Sequence, residues 1–124
     1  RLDEYASGRE GIAMNRYIPE RGDIIYIDFD PASGREIQKR RPALVVSSQL
    51  LSRQTGFALV CPITSPRRGN NAEVDIDGEI ISGVAISIQL KSLDYRERKA
   101  EFVEKADQAT IARMSMLLQK LVAI

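Results

Sequence analysis

The chain has 124 residues, of which 44% are hydrophobic and 28% charged, and its formal net charge is +1. That length and composition fit one folded domain and exclude a disordered or fibrous chain. With no histidine and a single cysteine, Cys61, the chain can form no intramolecular disulfide and no Ser-His-Asp or Cys-His constellation, and it has too few soft ligands for an ordinary zinc site.

Residues 1–13 are polar, include Gly8 and Gly11 and show no period. They read as an extension or tag, with one domain running over residues 14–124. Asp23 to Phe29 is rich in β-branched and aromatic residues and reads as a strand, with Gly22 at its entry. Asp30-Pro31-Ala32-Ser33-Gly34 is turn chemistry, and a basic loop runs on to Pro42. Ala43 to Ser47 predicts a short apolar strand. Gln54-Thr55-Gly56 reads as a turn before another strand, Phe57 to Ile63. Cys61 lies in the apolar run Ala58-Leu59-Val60-Cys61 and reads as a buried, inert thiol.

Ser65 to Asn71 is a polar loop, and Ala72 to Ile76 alternates like a half-buried strand. Gly83 to Leu93 predicts one long strand or two pieces, and Glu101 to Val103 a last short one. Ile111, Met114, Leu117, Leu118 and Leu121 then form one apolar helical stripe behind a candidate N-cap, Asp107. Short strands followed by one helix predict an α+β, mainly β domain built on a small, strongly bent sheet or barrel. No apolar stretch approaches the ~20 residues of a membrane span. No signal-peptide pattern is visible, so the expected location is the cytoplasm.

The charge is neutral in bulk but local in distribution. Arg35, Lys39, Arg40 and Arg41 form one basic cluster, Arg67 and Arg68 a second, and Lys91, Arg96, Arg98 and Lys99 a third. Such clusters suit a phosphate partner or an ordinary solvated face. Three stretches could carry chemistry: the loop Gly34 to Pro42, the strand end Pro62-Ile63-Thr64-Ser65-Pro66, and Gln89-Leu90-Lys91-Ser92, where strand alternation puts Gln89 and Lys91 on one face.

RNA can be cut without a metal when its 2′-hydroxyl attacks the adjacent phosphate. This needs a base at the 2′-oxygen, donors for the charge on phosphorus, and a proton for the leaving 5′-oxygen. A guanidinium such as Arg41 offers a planar fork to phosphate oxygens, a Thr64 hydroxyl can donate, and the Glu36 carboxylate can accept a proton. Each also has a plainer reading: Arg41 as a solvated loop residue, Thr64 as a strand-end cap, Glu36 as a surface ion pair and Lys91 as a solvated strand residue.

Taken in order, Arg21-Gly22-Asp23-Ile24, Asp28-Phe29-Asp30-Pro31, Gly34-x-Glu36, Arg41-Pro42-Ala43-Leu44-Val45-Val46 and Pro62-Ile63-Thr64 resemble the MazF/PemK (Kid) family of toxin ribonucleases. Gly83-Val84-Ala85, Gln89-Leu90-Lys91-Ser92-Leu93 and Tyr95-Arg96-x-Arg98 extend the likeness to about residues 17–124. The resemblance implies an SH3-like barrel with a C-terminal helix, assembled as a homodimer. It implies cofactor-free and metal-independent cleavage of single-stranded RNA to 2′,3′-cyclic phosphate and 5′-hydroxyl ends. It also implies an antitoxin partner whose extended acidic segment occupies the RNA groove.

By the same resemblance Arg41 and Thr64 are catalytic, and Glu36 is the loop glutamate tied to activity. The resemblance also puts Gln89 and Lys91 on the substrate side; Arg35, Lys39, Arg40, Ser65 and Arg67, from the basic clusters and the strand-end loop, are read as further RNA-binding residues, and no residue is read as a metal ligand. Because a guanidinium keeps its proton across the ordinary pH range, Arg41 is assigned to charge stabilisation. The loop departs from the family pattern G-x-E-Q-x-G-x-R-P, with Ile37 at its Gln and Lys39 at its Gly. Ile86 and Ile88 stand where Kid-like members carry an Arg and an Asp, which leaves Glu36 as the candidate base. Two other readings stay open: a non-enzymatic, gyrase-binding toxin on the same fold, as in CcdB, and an RNA-binding barrel that does not cleave.

Overall fold

The computed structural model describes residues 16–123, so the reading of residues 1–13 as an extension lies outside the described residues. Seven strands form one curled sheet: β1 (Asp23–Asp28), β2 (Arg40–Val45), β3 (Phe57–Thr64), β4 (Glu73–Asp77), β5 (Ser82–Ile86), β6 (Lys91–Asp94) and β7 (Glu101–Lys105). They run in the order β4-β5-β3-β2-β1-β7, and β6 also pairs with β3. Helix α1 (Gln49–Thr55) precedes β3, and α2 (Gln108–Val122) closes the described chain. The mainly β, bent-sheet expectation with a final helix is the observed architecture.

The middle strands are buried on both faces. Ile25, Ile27, Ala43, Val45, Ala58 and Val60 meet Leu93, Tyr95 and Ala100 inside the curl. Ile24, Leu44, Cys61 and Ile63 point the other way, into a second core with Val74, Ile76, Ala85 and Met114. This two-sided burial explains why β1 and β3 read as nearly continuous apolar runs rather than alternating ones. Cys61 is fully buried, and burial pushes its thiol up to about 12, as an inert core residue requires. Of the helical stripe, Met114 is buried, Ile111, Leu117 and Leu118 are half-buried, and Leu121 is exposed.

Three elements differ from the sequence expectation. β2 begins at Arg40 and ends at Val45 rather than spanning Ala43 to Ser47, so Arg40 and Arg41 belong to a strand and not to the loop before it. The segment before β3 is a seven-residue helix rather than a simple turn. The Ser48 side chain caps its first turn by accepting from Leu51 N, and Gly56 ends it at φ 82. Apolar period is a poor guide to so short a helix, because only two turns are available to show it. The stretch 83–93 is two strands separated by a 3₁₀ turn, Ser87–Gln89. One edge of β3 pairs with β6 through Phe57 to Val60 and with β5 through Ile63 and Thr64. The register along that edge shifts by three residues, which the three-residue turn takes up.

At the opposite edge, Asp23 anchors the entry to the barrel. Its buried carboxylate accepts from the Tyr17 hydroxyl, from Glu20 N at 3.0 Å and from Lys105 Nζ at 2.8 Å. Burial, together with this acceptor and the nearby Glu20 charge, drives the Tyr17 phenol well above its usual range.

Candidate active site

Strand alternation brings the predicted residues to one place. Arg41 continues the inward-facing row Val45, Ala43 on β2, Thr64 continues Val60, Pro62 on β3, and Lys91 continues Leu93 on β6. The row is apolar where the curl encloses it and becomes polar where the curl opens. The β2–β3 pairing ends at Ala43 with Pro62; two residues beyond, in the same rows, stand Arg41, which pairs with Ile27 on β1, and Thr64, which pairs with Val84 on β5. A guanidinium and a hydroxyl thus stand at neighbouring strand ends, just past the last paired residues of β2 and β3. Gly83 keeps β5 close to this point. It lies at φ +146, and a Cβ there would sit 2.3 Å from the Thr64 carbonyl oxygen. A glycine inside a strand pattern was the sequence signal for such a close approach.

The β1–β2 loop lies over this rim, and its own hydrogen bonds hold it. Phe29 N donates to Lys39 O at 2.8 Å and Lys39 N to Asp30 Oδ1 at 2.8 Å, which closes the base of the loop. Arg98 Nη1 supports that base by donating to the carbonyls of Asp28 and Asp30 at 3.2 and 2.7 Å. The Asp30–Pro31 peptide is cis. At the tip, Glu36 Oε1 accepts from Ser33 N at 3.1 Å and from Lys91 Nζ at 3.2 Å. The Ser33 amide and then the Lys91 ammonium hold the Glu36 carboxyl below the usual carboxylate range, so it is ionised at neutral pH. Ile37 N donates to Gln89 Oε1 at 2.7 Å, and the Ile37 side chain packs against the inner core.

The Arg41 side chain makes one hydrogen bond among the described residues, from Nε to the Gln38 carbonyl at 3.1 Å, which leaves both η nitrogens uncommitted. Sequence reasoning missed this backbone oxygen, because nothing in a side-chain pattern announces a carbonyl's aim. Lys39, where the family pattern has glycine, takes φ 70, the left-handed region that favours glycine.

The remaining predicted residues divide by their partners. Arg35, Lys39 and Ser65 are exposed with no side-chain hydrogen bond among the described residues. Arg40 is engaged by Asp28 at 3.0 Å and Glu101 at 3.1 Å. Arg67 is tied to Asp75 at 3.2 Å and to the Gly83 carbonyl at 3.2 Å. Gln89 and Lys91 do not share a strand face as alternation predicted. Gln89 lies in the 3₁₀ turn and Lys91 begins β6, and both reach the β1–β2 loop. The loop after β3 is folded by Glu73, whose carboxylate accepts from Arg68 N and Gly69 N at 3.0 Å.

Comparisons with known proteins identify relatives of this sequence and fold. Residues 20–122 match the family described as PemK-like, MazF-like toxin of type II toxin–antitoxin system. The endoribonuclease toxin MazF of Escherichia coli K12 is 40% identical over 87 residues, which is 70% of this chain and 78% of that protein. The endoribonuclease toxin ChpB of the same strain is 35% identical over 109 residues, covering 83% and 93%. Among solved structures, MazF from Deinococcus radiodurans superposes with a TM-score of 0.82 at 34% identity, over 87% of this chain and 99% of that one. With a family match across almost all the described residues and an SH3-like barrel matching that of a MazF, the chain belongs to the PemK-like, MazF-like toxins of type II toxin–antitoxin systems, the endoribonuclease toxins.

Proposed function

We propose that the chain cleaves single-stranded RNA without a metal ion, at the rim where Arg41 and Thr64 meet. The observation that carries this reading is the placement of Arg41 and Thr64, each two residues past the last β2–β3 pair and in the same inward-facing rows, with both Arg41 η nitrogens uncommitted among the described residues. The 2′-hydroxyl gives up its proton as it attacks phosphorus, the bond to the 5′-oxygen breaks, and that oxygen takes a proton from solvent water, giving a 2′,3′-cyclic phosphate and a 5′-hydroxyl. The Arg41 fork stabilises the charge that builds on the phosphate oxygens, and the Thr64 hydroxyl donates to a further oxygen. Glu36 is the candidate base. Its pairing with Lys91 keeps it ionised but weakens it as a base, so proton uptake follows when Lys91 turns toward the phosphate.

Arg35, Lys39 and Ser65 have free side chains for RNA contacts, whereas Arg40 and Arg67 would have to leave their carboxylate partners to bind phosphate. The functional unit is a cytoplasmic homodimer. Related solved structures include MazE–MazF complexes from Deinococcus radiodurans. By analogy the partner of this chain is an antitoxin whose extended acidic segment covers the same basic rim.

The test is incubation of the protein with RNA in EDTA, followed by analysis of the ends. Cleavage leaving 5′-hydroxyl ends is expected. Arg41→Ala should lower kcat by about 10²–10³-fold, the ordinary cost of one preorganised donor to a developing oxyanion. Binding of RNA or of gyrase with intact RNA recovered would sink the proposal in favour of a non-cleaving protein.

A further inference from the structure

Resting on the reading of Arg41 as the phosphate donor, we propose that Ile37 and Gln89 are positioning residues, which fix the aim of the Arg41 guanidinium through the short backbone segment from Ile37 N to the Gln38 carbonyl. The path has three links. Gln89 Oε1 accepts from Ile37 N at 2.7 Å, the Ile37 side chain packs into the open end of the inner core, and the next residue, Gln38, presents its carbonyl to Arg41 Nε at 3.1 Å.

A guanidinium is planar, so fixing Nε fixes the plane in which both η nitrogens lie. Gln89 is itself held firmly. It ends the 3₁₀ turn that bridges β5 and β6, and Ser87 in that turn is fastened to the Ala72 carbonyl through its backbone N at 2.9 Å and its Oγ at 2.8 Å. The rest of the loop near this point is exposed: residues 33–36 and 38–41 all face solvent, whereas Ile37 is partly buried. Ile37 is therefore the apolar anchor of an otherwise solvated loop, and Gln89 supplies the matching polar tie. Lys91 to Glu36 adds a second polar tie one residue earlier.

This assignment makes Gln89 part of the scaffold of the site and not a reader of RNA. It also gives Ile37, which stands where the family pattern has glutamine, a role that a polar residue cannot fill from the same position.

Steady-state kinetics on an RNA oligonucleotide and the NMR resonance of the Arg41 Nε–H group together test the proposal. Gln89→Met keeps the length of the side chain but removes the acceptor. It should lower kcat by about 10–100-fold, the scale of an ångström-level misplacement, with KM changed less than about twofold. The Arg41 Nε–H resonance should move toward that of a free arginine. Gln89→Glu retains an acceptor and should keep that resonance in its wild-type position. Ile37→Ser should reproduce the loss in kcat, and the Ile37→Ser, Gln89→Met double variant should lose little more than either alone, because both act on one link.

Ile37→Leu keeps an apolar anchor and should retain most of the activity, which guards against misreading a folding defect in Ile37→Ser. The proposal is overturned if Gln89→Met raises KM and leaves kcat intact, as for a direct RNA contact. It is also overturned if the Arg41 resonance is unmoved, or if Gln89→Glu shifts it as far as Gln89→Met does. An active Arg41→Ala variant would instead refute the underlying assignment of the donor.

Discussion

Lys39→Gly should make this protein more stable even though it deletes a side chain. Lys39 sits at φ 70, where a residue with a Cβ is crowded against its own carbonyl at a cost of roughly 1–2 kcal/mol. Its two loop-closing hydrogen bonds use only the backbone, Lys39 N to Asp30 Oδ1 and Phe29 N to Lys39 O, so glycine keeps both. Glycine also gives the unfolded chain more freedom, which takes back about 0.4–1 kcal/mol. The net gain is then about 0.5–1 kcal/mol, or a rise in Tm of roughly 2–5 °C for a domain of this size. Lys39→Ala is the control, since it removes the same charge but keeps the strained φ. Thermal and urea unfolding of the three proteins, side by side, should place Lys39→Gly above both others, with Lys39→Ala near the parent. If Lys39→Gly is no more stable than Lys39→Ala, then relief of backbone strain is not the operative effect. Both variants should bind RNA with a weaker salt dependence, as expected for one cation fewer at the rim.

Two further predictions concern other parts of the fold. The Tyr17 phenol, raised by burial and by its hydrogen bond to Asp23, keeps its proton in the folded state where the unfolded chain would release it. Its contribution to stability is thus complete below the unfolded value of about 10 and is lost as pH rises above it. Lys105, held up by the Asp23 and Glu20 carboxylates against the desolvation that opposes them, adds to the loss in the same direction. Urea midpoints measured from pH 8 to pH 11 should therefore fall, with a shallower fall in Tyr17→Phe, and identical slopes would refute the assignment. Gly83→Ala forces a Cβ to within 2.3 Å of the Thr64 carbonyl and should cost roughly 2–3 kcal/mol. In the fraction that remains folded at low temperature, kcat should still fall because Thr64 has moved; unaltered kcat would show that Thr64 tolerates displacement.

Much of the architecture is written in local sequence. Apolar runs at β1 and β3, alternation at β4, and the Asp107 cap with its helical stripe each report their element, because burial of one face leaves a period in the chain. Arg41 and Thr64 were legible as chemistry-bearing types, and the ordered family pattern singled them out from other arginines and hydroxyls. What the sequence did not contain is which partners these groups choose. Arg40 and Arg41 are adjacent and identical in type, yet alternation turns Arg40 toward Asp28 and Glu101 while Arg41 faces the open rim. The two-turn helix α1, the register shift along β3 and the Gln89–Ile37 bond depend on residues distant in sequence meeting in space. Local pattern determines which face of a strand is apolar. Only the closing of the curl decides where that face opens to water, and therefore where a guanidinium can meet a phosphate.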